Sequence, residues 1–372
     1  MKHFHPTRIV FDDQGFPDLG HYISCEDQTL IIISQSVLKL YPEITSNLPP
    51  NTSIQSNVGS NPDLRQIEEI QIPDLCTQIV AIGGGSVLDI AKACFAKVIT
   101  ENRYLLKHLV DSPLLLNDFA AGRSNFNLIL VPTTFGSSSE ITKWGTIWDF
   151  QNKVKRSISH DLLYADTALI CPQMSCSVPR KVTAYTGLDV FSHALESLWN
   201  KNATFLTELY AIKALMLCSN YLPELLNNLN SLEVRAQLAK ASFFAGLAFS
   251  QTKTSVAHAM SYPLTIFHDI PHGFACSLTL GALFEYNYSI KPKSLEKVQL
   301  LLQEKYDNRE SFKDCFHNFL LDCGVKPQLR DYGVTLSDIP RLVANGVHPE
   351  RSQTMLHSLT EEQIRDVYCS VL

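Results

Sequence analysis

The sequence contains 372 residues, which exceeds the roughly 250–300 residues at which one hydrophobic core stops growing, so two domains are expected. Its formal net charge of −6 argues against nucleic acid or an anionic membrane surface as a partner, and no apolar segment approaches the roughly 20 residues that cross a bilayer. The ten cysteines include no Cys-x-x-Cys pair, and residues 1–11 lack the apolar core of a signal peptide. We therefore expect a cytoplasmic protein with reduced, buried cysteines.

The first part of the chain alternates short apolar runs with helical patterns. Residues 30–33, 78–82 and 128–131 are apolar runs bounded by polar residues, glycine or proline, which is typical of buried parallel strands. Each run precedes a segment in which apolar residues recur at helical spacing. This pattern predicts a doubly wound α/β domain over residues 1–178, of the kind that binds dinucleotides.

A glycine-rich turn follows the second of these runs. Gly83, Gly84 and Gly85 precede Ser86 and a helical pattern over residues 87–96. Consecutive glycines allow positive φ angles and a close approach of the backbone to a ligand, and the N-terminus of a helix favours a pyrophosphate. The turn therefore predicts a phosphate site, and the alternative is a plain tight turn.

Further polar residues near this turn are candidates for cofactor binding. Asp89 is one of them, and the alternative is that Asp89 and Lys92 pair on the surface of the helix. Residues 132–140 form a second loop after the run 128–131, with several hydroxyl groups and one glycine. The alternative for this loop is a solvated serine-rich turn. Two such loops at strand ends predict a crevice at the carboxyl edge of the sheet.

The strand signal disappears from about Pro179 onward. Apolar residues then recur at helical spacing, which predicts an all-helical domain over residues 179–372. Ser177 is a possible N-cap, and Pro179 lies near the first turn of the first helix. The predicted helices cover residues 182–200, 205–227, 232–249 and 295–307.

The helical part contains a candidate metal site. Asp189 and His193 lie four residues apart on one face of a predicted helix, beside an apolar stripe. A carboxylate beside apolar residues needs compensation, which a cation supplies. Downstream, His258 and His272 add two imidazoles, and one carboxylate with three imidazoles suits Fe²⁺ or Zn²⁺. Taken singly, each histidine also fits a hydrogen-bonded core or surface residue.

The order of these motifs resembles one known family. Residues 83–92 fit the signature GGGSxxDxAK in full, and the similarity is collinear from residues 7–11 to about Leu280, with a weaker echo at 348–351 and 359–362. On these motifs the chain resembles the iron-containing (group III) alcohol dehydrogenases of the dehydroquinate synthase-like superfamily. The resemblance implies a Rossmann-like nucleotide domain followed by a helical metal-binding domain, and a homodimer or a larger assembly.

The resemblance also assigns roles to individual residues. NAD(P)H is implied as the hydride donor to an aldehyde whose oxygen is polarised by Fe²⁺ or Zn²⁺. The implied metal ligands are Asp189, His193, His258 and His272. The implied cofactor contacts are Gly84, Gly85 and Ser86 for the diphosphate, Thr133, Thr134 and Ser137 for the adenosine and nicotinamide side, and Lys155 for the nicotinamide ribose.

Three positions depart from the family pattern. Many members carry a second histidine four residues after the one at His258, where this chain has Tyr262, and we expect Tyr262 to serve as a hydrogen-bonding substitute in catalysis. The usual Gly-Thr-Gly-Ser-Glu loop appears as Gly-Ser-Ser-Ser-Glu over residues 136–140, so one flexible glycine is missing. Residues 33–36 carry no acid where NAD-preferring members often have aspartate, so we expect use of NADPH or of both cofactors.

Finer motifs resemble the phosphonoacetaldehyde reductase branch of this family. They are residues 144–149, 193–202, 252–258, 261–264 and 272–276. A phosphonate dianion beside a hydride-transfer site calls for fixed cations. Lys253, five residues before a predicted ligand, is the first candidate, whereas Lys143 and Lys201 fit solvated surface charges better.

Three alternative functions remain open at this point. A general short-chain alcohol, diol or lactaldehyde dehydrogenase would have the same fold and metal site. A dehydroquinate synthase-like lyase would share the fold and a bound metal but would regenerate its NAD. A non-catalytic nucleotide-binding protein would have no reason to keep all four candidate ligands.

Overall fold

The computed structural model describes residues 3–12, 15–16, 19–59, 62–149, 151, 154–306, 309–346 and 353–372. The chain divides into two compact units. We call the unit formed by His5–Thr134 and Ser138–Ser177 the α/β unit, and the unit containing Val178–Leu372 and Phe135–Ser137 the helical unit. In the described part of the chain, every helix is too short or too polar to span a lipid bilayer.

Among the described residues of the α/β unit, six parallel strands form one sheet in the order β1-β8-β5-β4-β2-β3. The three predicted strands are β2, β4 and β5 of this sheet. The strands are β1 Arg8–Phe11, β2 Gln28–Ile33, β3 Thr52–Gln55, β4 Cys76–Gly83, β5 Asn127–Pro132 and β8 Thr167–Ile170.

Apolar cores on both faces of the sheet explain why these strands are apolar throughout. Leu30 and Ile32 of β2 pack into one core, and Ile31 and Ile33 pack into the other. A strand that is covered on both sides cannot alternate polar and apolar residues, as a half-exposed strand does. The helices of this unit are α1 Gln35–Leu40, α2 Leu64–Glu68, α3 Gly85–Ile99 and α4 Leu106–Asp111.

The α/β unit also contains an antiparallel hairpin that the periodicity did not predict. Strands β6 Trp144–Asp149 and β7 Val154–Ser159 pair with Trp144 opposite Ser159. Side chains of β6 alternate between partly buried and buried, which is the pattern of a strand packed on one face. The sequence of β6, Trp-Gly-Thr-Ile-Trp-Asp, does not alternate apolar and polar residues, so its periodicity does not indicate a strand.

The helical unit is built around α5. Its helices are α5 Arg180–Leu198, α6 Phe205–Asn227, α7 Leu232–Thr252, α8 Val256–His268, α9 His272–Leu278, α10 Leu280–Tyr288, α11 Pro292–Lys305, α12 Phe312–Asp322, α13 Ile339–Gly346 and α14 Glu361–Ser370. Residues from α5 to α14 share one apolar core, in which Phe191 packs against Phe316 and Phe319.

The helix boundaries follow local capping chemistry. Helix α6 begins as predicted because the Thr204 hydroxyl accepts a hydrogen bond from the Thr207 backbone N–H. The prediction of Ser177 as the N-cap of α5 was wrong, since Pro179 occupies that position and α5 begins at Arg180. A proline fits there because its fixed φ suits the start of a helix and its missing N–H would lack a partner anyway.

The last helix is fixed to the middle of the helical unit. Tyr368 of α14 is fully buried, and its hydroxyl donates a hydrogen bond to the Met260 carbonyl of α8 at 2.7 Å. Thr360 caps the helix by accepting from the backbone N–H of Gln363. Of the weaker family echo, His348 and the rest of 348–351 lie outside the described residues.

Candidate metal and cofactor sites

The helical unit places the four predicted metal ligands close to one another, but only Asp189, His258 and His272 of these four belong to the set of donor atoms that all lie within 4.8 Å of one another. Asp189 and His193 lie one turn apart on α5, with His193 Nε2 4.0 Å from Asp189 Oδ1. His258, in the first turn of α8, directs its Nε2 to within 3.5 Å of the same oxygen. The His258 ring stacks on that of His193 with 4.5 Å between centroids, and the other face of the His193 ring stacks on Phe249.

His272 reaches the same place from the N-terminus of α9. Its ring lies 5.4 Å from that of His258, and its Nδ1 lies 3.2 Å from the Ser261 hydroxyl. Helix α9 approaches α5 closely because residue 273 is glycine, since a Cβ there would lie 1.8 Å from the Tyr185 carbonyl oxygen.

One further metal donor in this cluster was not predicted. Asp189, His258, His272 and Cys276 each offer a ligand atom, and these atoms lie within 4.8 Å of one another. The Cys276 sulfur lies 3.7 Å from His272 Nε2 and is buried. The sequence did carry a signal, because Cys276 follows His272 by one helical turn and so lies on the same face.

The residues of this cluster fit a divalent cation. Among the described residues, Asp189 Oδ1 and His258 Nε2 are buried without a hydrogen-bonding partner, and these two atoms lie 3.5 Å apart. Buried polar atoms in folded proteins nearly always have a partner, so an unpaired group of this kind needs an explanation. A carboxylate with several imidazoles matches the ligand set of Fe²⁺ or Zn²⁺.

The pKa values of His193 and Asp189 are compatible with a bound cation. Burial lowers the pKa of His193 to about 4, so this imidazole is neutral and free to act as a ligand at neutral pH. Burial opposes ionisation of Asp189, but the surrounding His193, His258 and His272 hold its pKa below the ordinary value. The carboxylate is therefore ionised and available as a donor.

Tyr262 and Lys253, which are predicted to take part in catalysis, both lie in the helical unit. Tyr262, one turn after His258 on α8, is partly buried and stacks on His272 with 5.8 Å between ring centroids. Lys253 follows α7 as an exposed residue with φ 66° and ψ 169°. Its backbone N–H donates to the Phe249 carbonyl at 2.7 Å. The assignment of Tyr262 and Lys253 to catalysis stays a prediction.

The backbone conformation of the glycine turn in the α/β unit differs from the predicted one. None of Gly83, Gly84 and Gly85 has a positive φ, so that expectation was wrong. Packing accounts for Gly83 instead, since a Cβ there would lie 2.6 Å from a Val87 methyl carbon, whereas a Cβ at Gly84 would make a tight contact of 3.2 Å with the Thr134 hydroxyl. Gly84 is the N-cap of α3 and offers no side chain to cap it, which suits an anion at this helix end.

The other predicted cofactor residues lie on several elements. Thr133 and Thr134 directly follow β5, and the Thr133 N–H donates to the Gly83 carbonyl at 2.9 Å, which joins the second loop to the glycine turn. Ser86 lies in the first turn of α3, and Ser137 belongs to the helical unit. Lys155, on β7, places its ammonium 5.6 Å from the ring centre of Trp148. Their cofactor contacts stay predictions.

Asp89 and Lys92 do not form the surface pair that was one of two interpretations. Lys92 is fully buried, and its ammonium donates to the carbonyls of Ser139 and Trp144 at 2.5 and 2.9 Å and to the Thr142 hydroxyl at 3.2 Å. Helix α3 is buried on most sides, and the ammonium finds its partners in the loop after β5 and at the first residue of β6.

Asp89 is hydrogen bonded to the same segment of the chain. Its two carboxylate oxygens accept from the Ser139 hydroxyl at 2.7 Å and from the Thr146 backbone N–H at 3.0 Å. Glu140 is buried beside this network, and burial raises its pKa to about 7. In the α/β unit, the Asp and Lys of the signature thus hold the loop that follows the predicted cofactor residues Thr133 and Thr134.

The backbone is left-handed at the position of this loop where the family pattern has glycine. Ser138, where the family pattern has glycine, adopts φ 48° and ψ 33°. An L-residue in this left-handed conformation costs roughly 1–2 kcal/mol relative to a right-handed one. Ser138 therefore adopts a backbone conformation that glycine would take without this cost.

Comparison with known proteins decides the family. The profile for iron-containing alcohol dehydrogenases matches residues 6–172, and that for the C-terminal part of the same family matches residues 183–372. The chain belongs to the iron-containing alcohol dehydrogenases. It is thus an oxidoreductase that acts on CH–OH groups, with the α/β and helical architecture that its sequence predicted.

Individual relatives in this family include reductases of small aldehydes. A sulfoacetaldehyde reductase of Bilophila wadsworthia is 30% identical over 273 residues, which are 70% of this chain and 68% of the relative. A choline dehydrogenase of Bacillus subtilis is 28% identical over 84% of this chain and 74% of the relative. The crystal structure of sulfoacetaldehyde reductase from Bifidobacterium kashiwanohense in complex with NAD⁺ is similar with a TM-score of 0.84 and 26% identity, covering 100% of this chain and 98% of that one.

Proposed function

We propose that this alcohol dehydrogenase reduces a small aldehyde carrying an anionic group, with NAD(P)H as hydride donor and a divalent ion held in the helical unit. The observation that carries the proposal is the convergence of Asp189, His193, His258 and His272, in which Asp189 Oδ1 and His258 Nε2 are buried and have no hydrogen-bonding partner among the described residues. The carbonyl carbon receives a hydride and its oxygen receives a proton, so aldehyde, NAD(P)H and H⁺ give alcohol and NAD(P)⁺.

The residues of the helical unit have separate tasks in this reaction. Asp189, His193, His258 and His272 would hold Fe²⁺ or Zn²⁺, which supplies Lewis acidity toward a carbonyl oxygen when bound. Tyr262 has a phenolic hydroxyl and stacks on His272, so it is suited to hydrogen bond the oxygen of the substrate. The ring stack on Phe249 keeps the His193 imidazole in one plane.

The α/β unit offers an anion site for the cofactor. The uncapped N-terminus of α3 beside Thr134 favours a diphosphate, because backbone N–H groups and the helix dipole both point there. Ser34 follows β2 and caps α1 through its hydroxyl, so no carboxylate stands there to repel a 2′-phosphate. We therefore propose that the enzyme uses NADPH or accepts both cofactors.

The substrate is proposed from two independent likenesses. Sequence motifs resemble phosphonoacetaldehyde reductases, and two relatives are named sulfoacetaldehyde reductases. Both aldehydes have two carbons and an anionic head group, so the two similarities indicate the same chemical class of substrate. We propose phosphonoacetaldehyde as the substrate and 2-hydroxyethylphosphonate as the product, with the exposed Lys253 binding the head group.

The test is the oxidation of NADH and NADPH by purified enzyme with phosphonoacetaldehyde, sulfoacetaldehyde, butanal and lactaldehyde. We expect the highest kcat/KM on an anionic aldehyde. The K253A variant should raise KM for that substrate and leave KM for butanal unchanged, while K326A, at another exposed lysine, serves as the control. Equal or better activity on the uncharged aldehydes contradicts the anionic substrate and favours a general short-chain alcohol dehydrogenase.

Metal analysis separates this proposal from the two remaining alternatives. We expect about one divalent ion per chain in wild type and none in D189A. Active enzyme without a metal would disprove the proposed site. Net formation of NAD(P)H from the alcohol excludes a lyase that regenerates its NAD, and any turnover excludes a protein that only binds nucleotide.

A further inference from the structure

A fully buried carboxylate is hydrogen bonded to His258, one of the predicted metal ligands. Glu196 of α5 is 0% exposed and lies seven residues after Asp189, two helical turns further along α5. Its Oε2 accepts from the Ser255 N–H at 2.8 Å and from His258 Nδ1 at 2.6 Å. Its Oε1 accepts from the backbone N–H groups of Ala257 and His258 at 2.7 and 3.3 Å.

The partners of Glu196 call for an ionised carboxylate. Three of its four donors are backbone N–H groups at the start of α8, where the N-cap Ser255 makes no side-chain hydrogen bond to the helix. These groups and the positive end of the helix dipole stabilise a negative charge. A glutamine would have to turn its NH₂ group toward N–H donors, because only one of its two terminal atoms accepts hydrogen bonds.

The bond to His258 Nδ1 decides which nitrogen is available to a metal. A neutral imidazole carries one proton, and a proton held on Nδ1 by Glu196 leaves the lone pair on Nε2. His258 Nε2 is the atom that faces Asp189 Oδ1 at 3.5 Å and has no hydrogen-bonding partner among the described residues. The carboxylate thereby sets both the tautomer and the ring orientation of the donor.

We propose that Glu196 is a positioning residue of the metal centre, which presents His258 Nε2 to the ion and anchors the start of α8 to the helix that carries Asp189 and His193. This inference rests on the proposed function, since it presumes that the cluster binds a divalent ion. Outer carboxylates that hydrogen bond a ligating histidine typically contribute 10–100-fold to metal affinity.

The first test is the affinity of the E196Q variant for Zn²⁺, measured by competition with a chromophoric chelator. We expect E196Q to bind Zn²⁺ about 10–100-fold more weakly than wild type, and E196D to recover part of the loss. The control is S197A, because Ser197 is the next residue on α5, is equally buried, and bonds the His193 carbonyl and the Thr252 hydroxyl rather than His258. S197A should bind Zn²⁺ as wild type does.

Unchanged Zn²⁺ affinity in E196Q, with only a lower melting temperature, would reduce Glu196 to a structural role and overturn the proposal. Wild-type protein that binds no divalent ion would overturn the proposed function as well. Chelator competition needs no substrate, so a wrong substrate assignment leaves this result unaffected.

The second test does not require that any Glu196 variant folds. Wild-type protein labelled with ¹⁵N-histidine and loaded with diamagnetic Zn²⁺ should show His258 with its proton on Nδ1 and its metal on Nε2. The H258N variant identifies the resonance. A proton on Nε2, or metal on Nδ1, is incompatible with the proposed role of Glu196.

Discussion

The buried Glu140 predicts a pH dependence of stability that one substitution removes. Its side chain is 2% exposed, and burial raises its pKa from 4.5 to about 7, opposed by its own backbone N–H and by Lys92. A group whose pKa is higher in the folded state stabilises that state fully below the unfolded pKa. This contribution is lost as pH rises through the folded value. The window for Glu140 is therefore pH 4.5 to 7.

The magnitude follows from the two pKa values of Glu140. A difference of about 2.5 in pKa corresponds to roughly 3 kcal/mol in the free energy of unfolding, of which a small part has already been lost at pH 5. Glutamine at this position does not titrate. The stability of E140Q relative to wild type should therefore improve by about 2–3 kcal/mol between pH 5 and pH 7.5.

Urea unfolding of both proteins at the two pH values measures this change. Trp144 and Trp148 lie on the hairpin of the same unit and report its unfolding by fluorescence. The hydrogen bonds that E140Q gains or loses are common to both pH values and cancel in the comparison. E26Q, at an exposed glutamate, should show the pH dependence of wild type. A stability difference between E140Q and wild type that is equal at pH 5 and 7.5 would refute the reasoning.

Two further substitutions test the backbone of the loop and the chemistry of the cluster. S138G should raise the free energy of unfolding by about 1 kcal/mol, since glycine adopts the left-handed conformation without a steric penalty. The control S137G should lower the free energy of unfolding. Chemical denaturation measures both variants, and an S138G protein less stable than wild type contradicts the argument. Y262F should keep its metal but lose kcat by on the order of 10², because the ring that stacks on His272 remains and the phenol proton does not. Steady-state kinetics with metal analysis measures both, and an unchanged kcat removes Tyr262 from catalysis.

Much of the fold could be predicted because burial leaves a direct trace in the sequence. β2, β4 and β5 are covered on both faces and therefore appear as continuous apolar runs. Asp189 and His193 could be placed together because helical spacing fixes residues four apart on one face. His258 and His272 come from other helices, and only the family resemblance linked them to the first pair.

The remaining features depend on contacts between distant segments. Burial of Lys92 could not be predicted from its helix, because its partners lie about 50 residues later in the chain. Glu196 carries no local sign that it receives four N–H donors from the start of α8, three from the backbone and one from the His258 ring. The left-handed conformation of Ser138 is likewise imposed by the fold, against the preference of serine.

The hydrogen bond from Tyr368 to Met260 connects α14 to the helix that carries the predicted metal ligand His258. Met260 lies only two residues after His258 on α8, so the phenol at the far end of the chain helps to hold the segment that presents this imidazole. Loss of the Tyr368 hydroxyl would thus loosen the backbone next to a predicted metal ligand, although Tyr368 itself is not one of the predicted ligands.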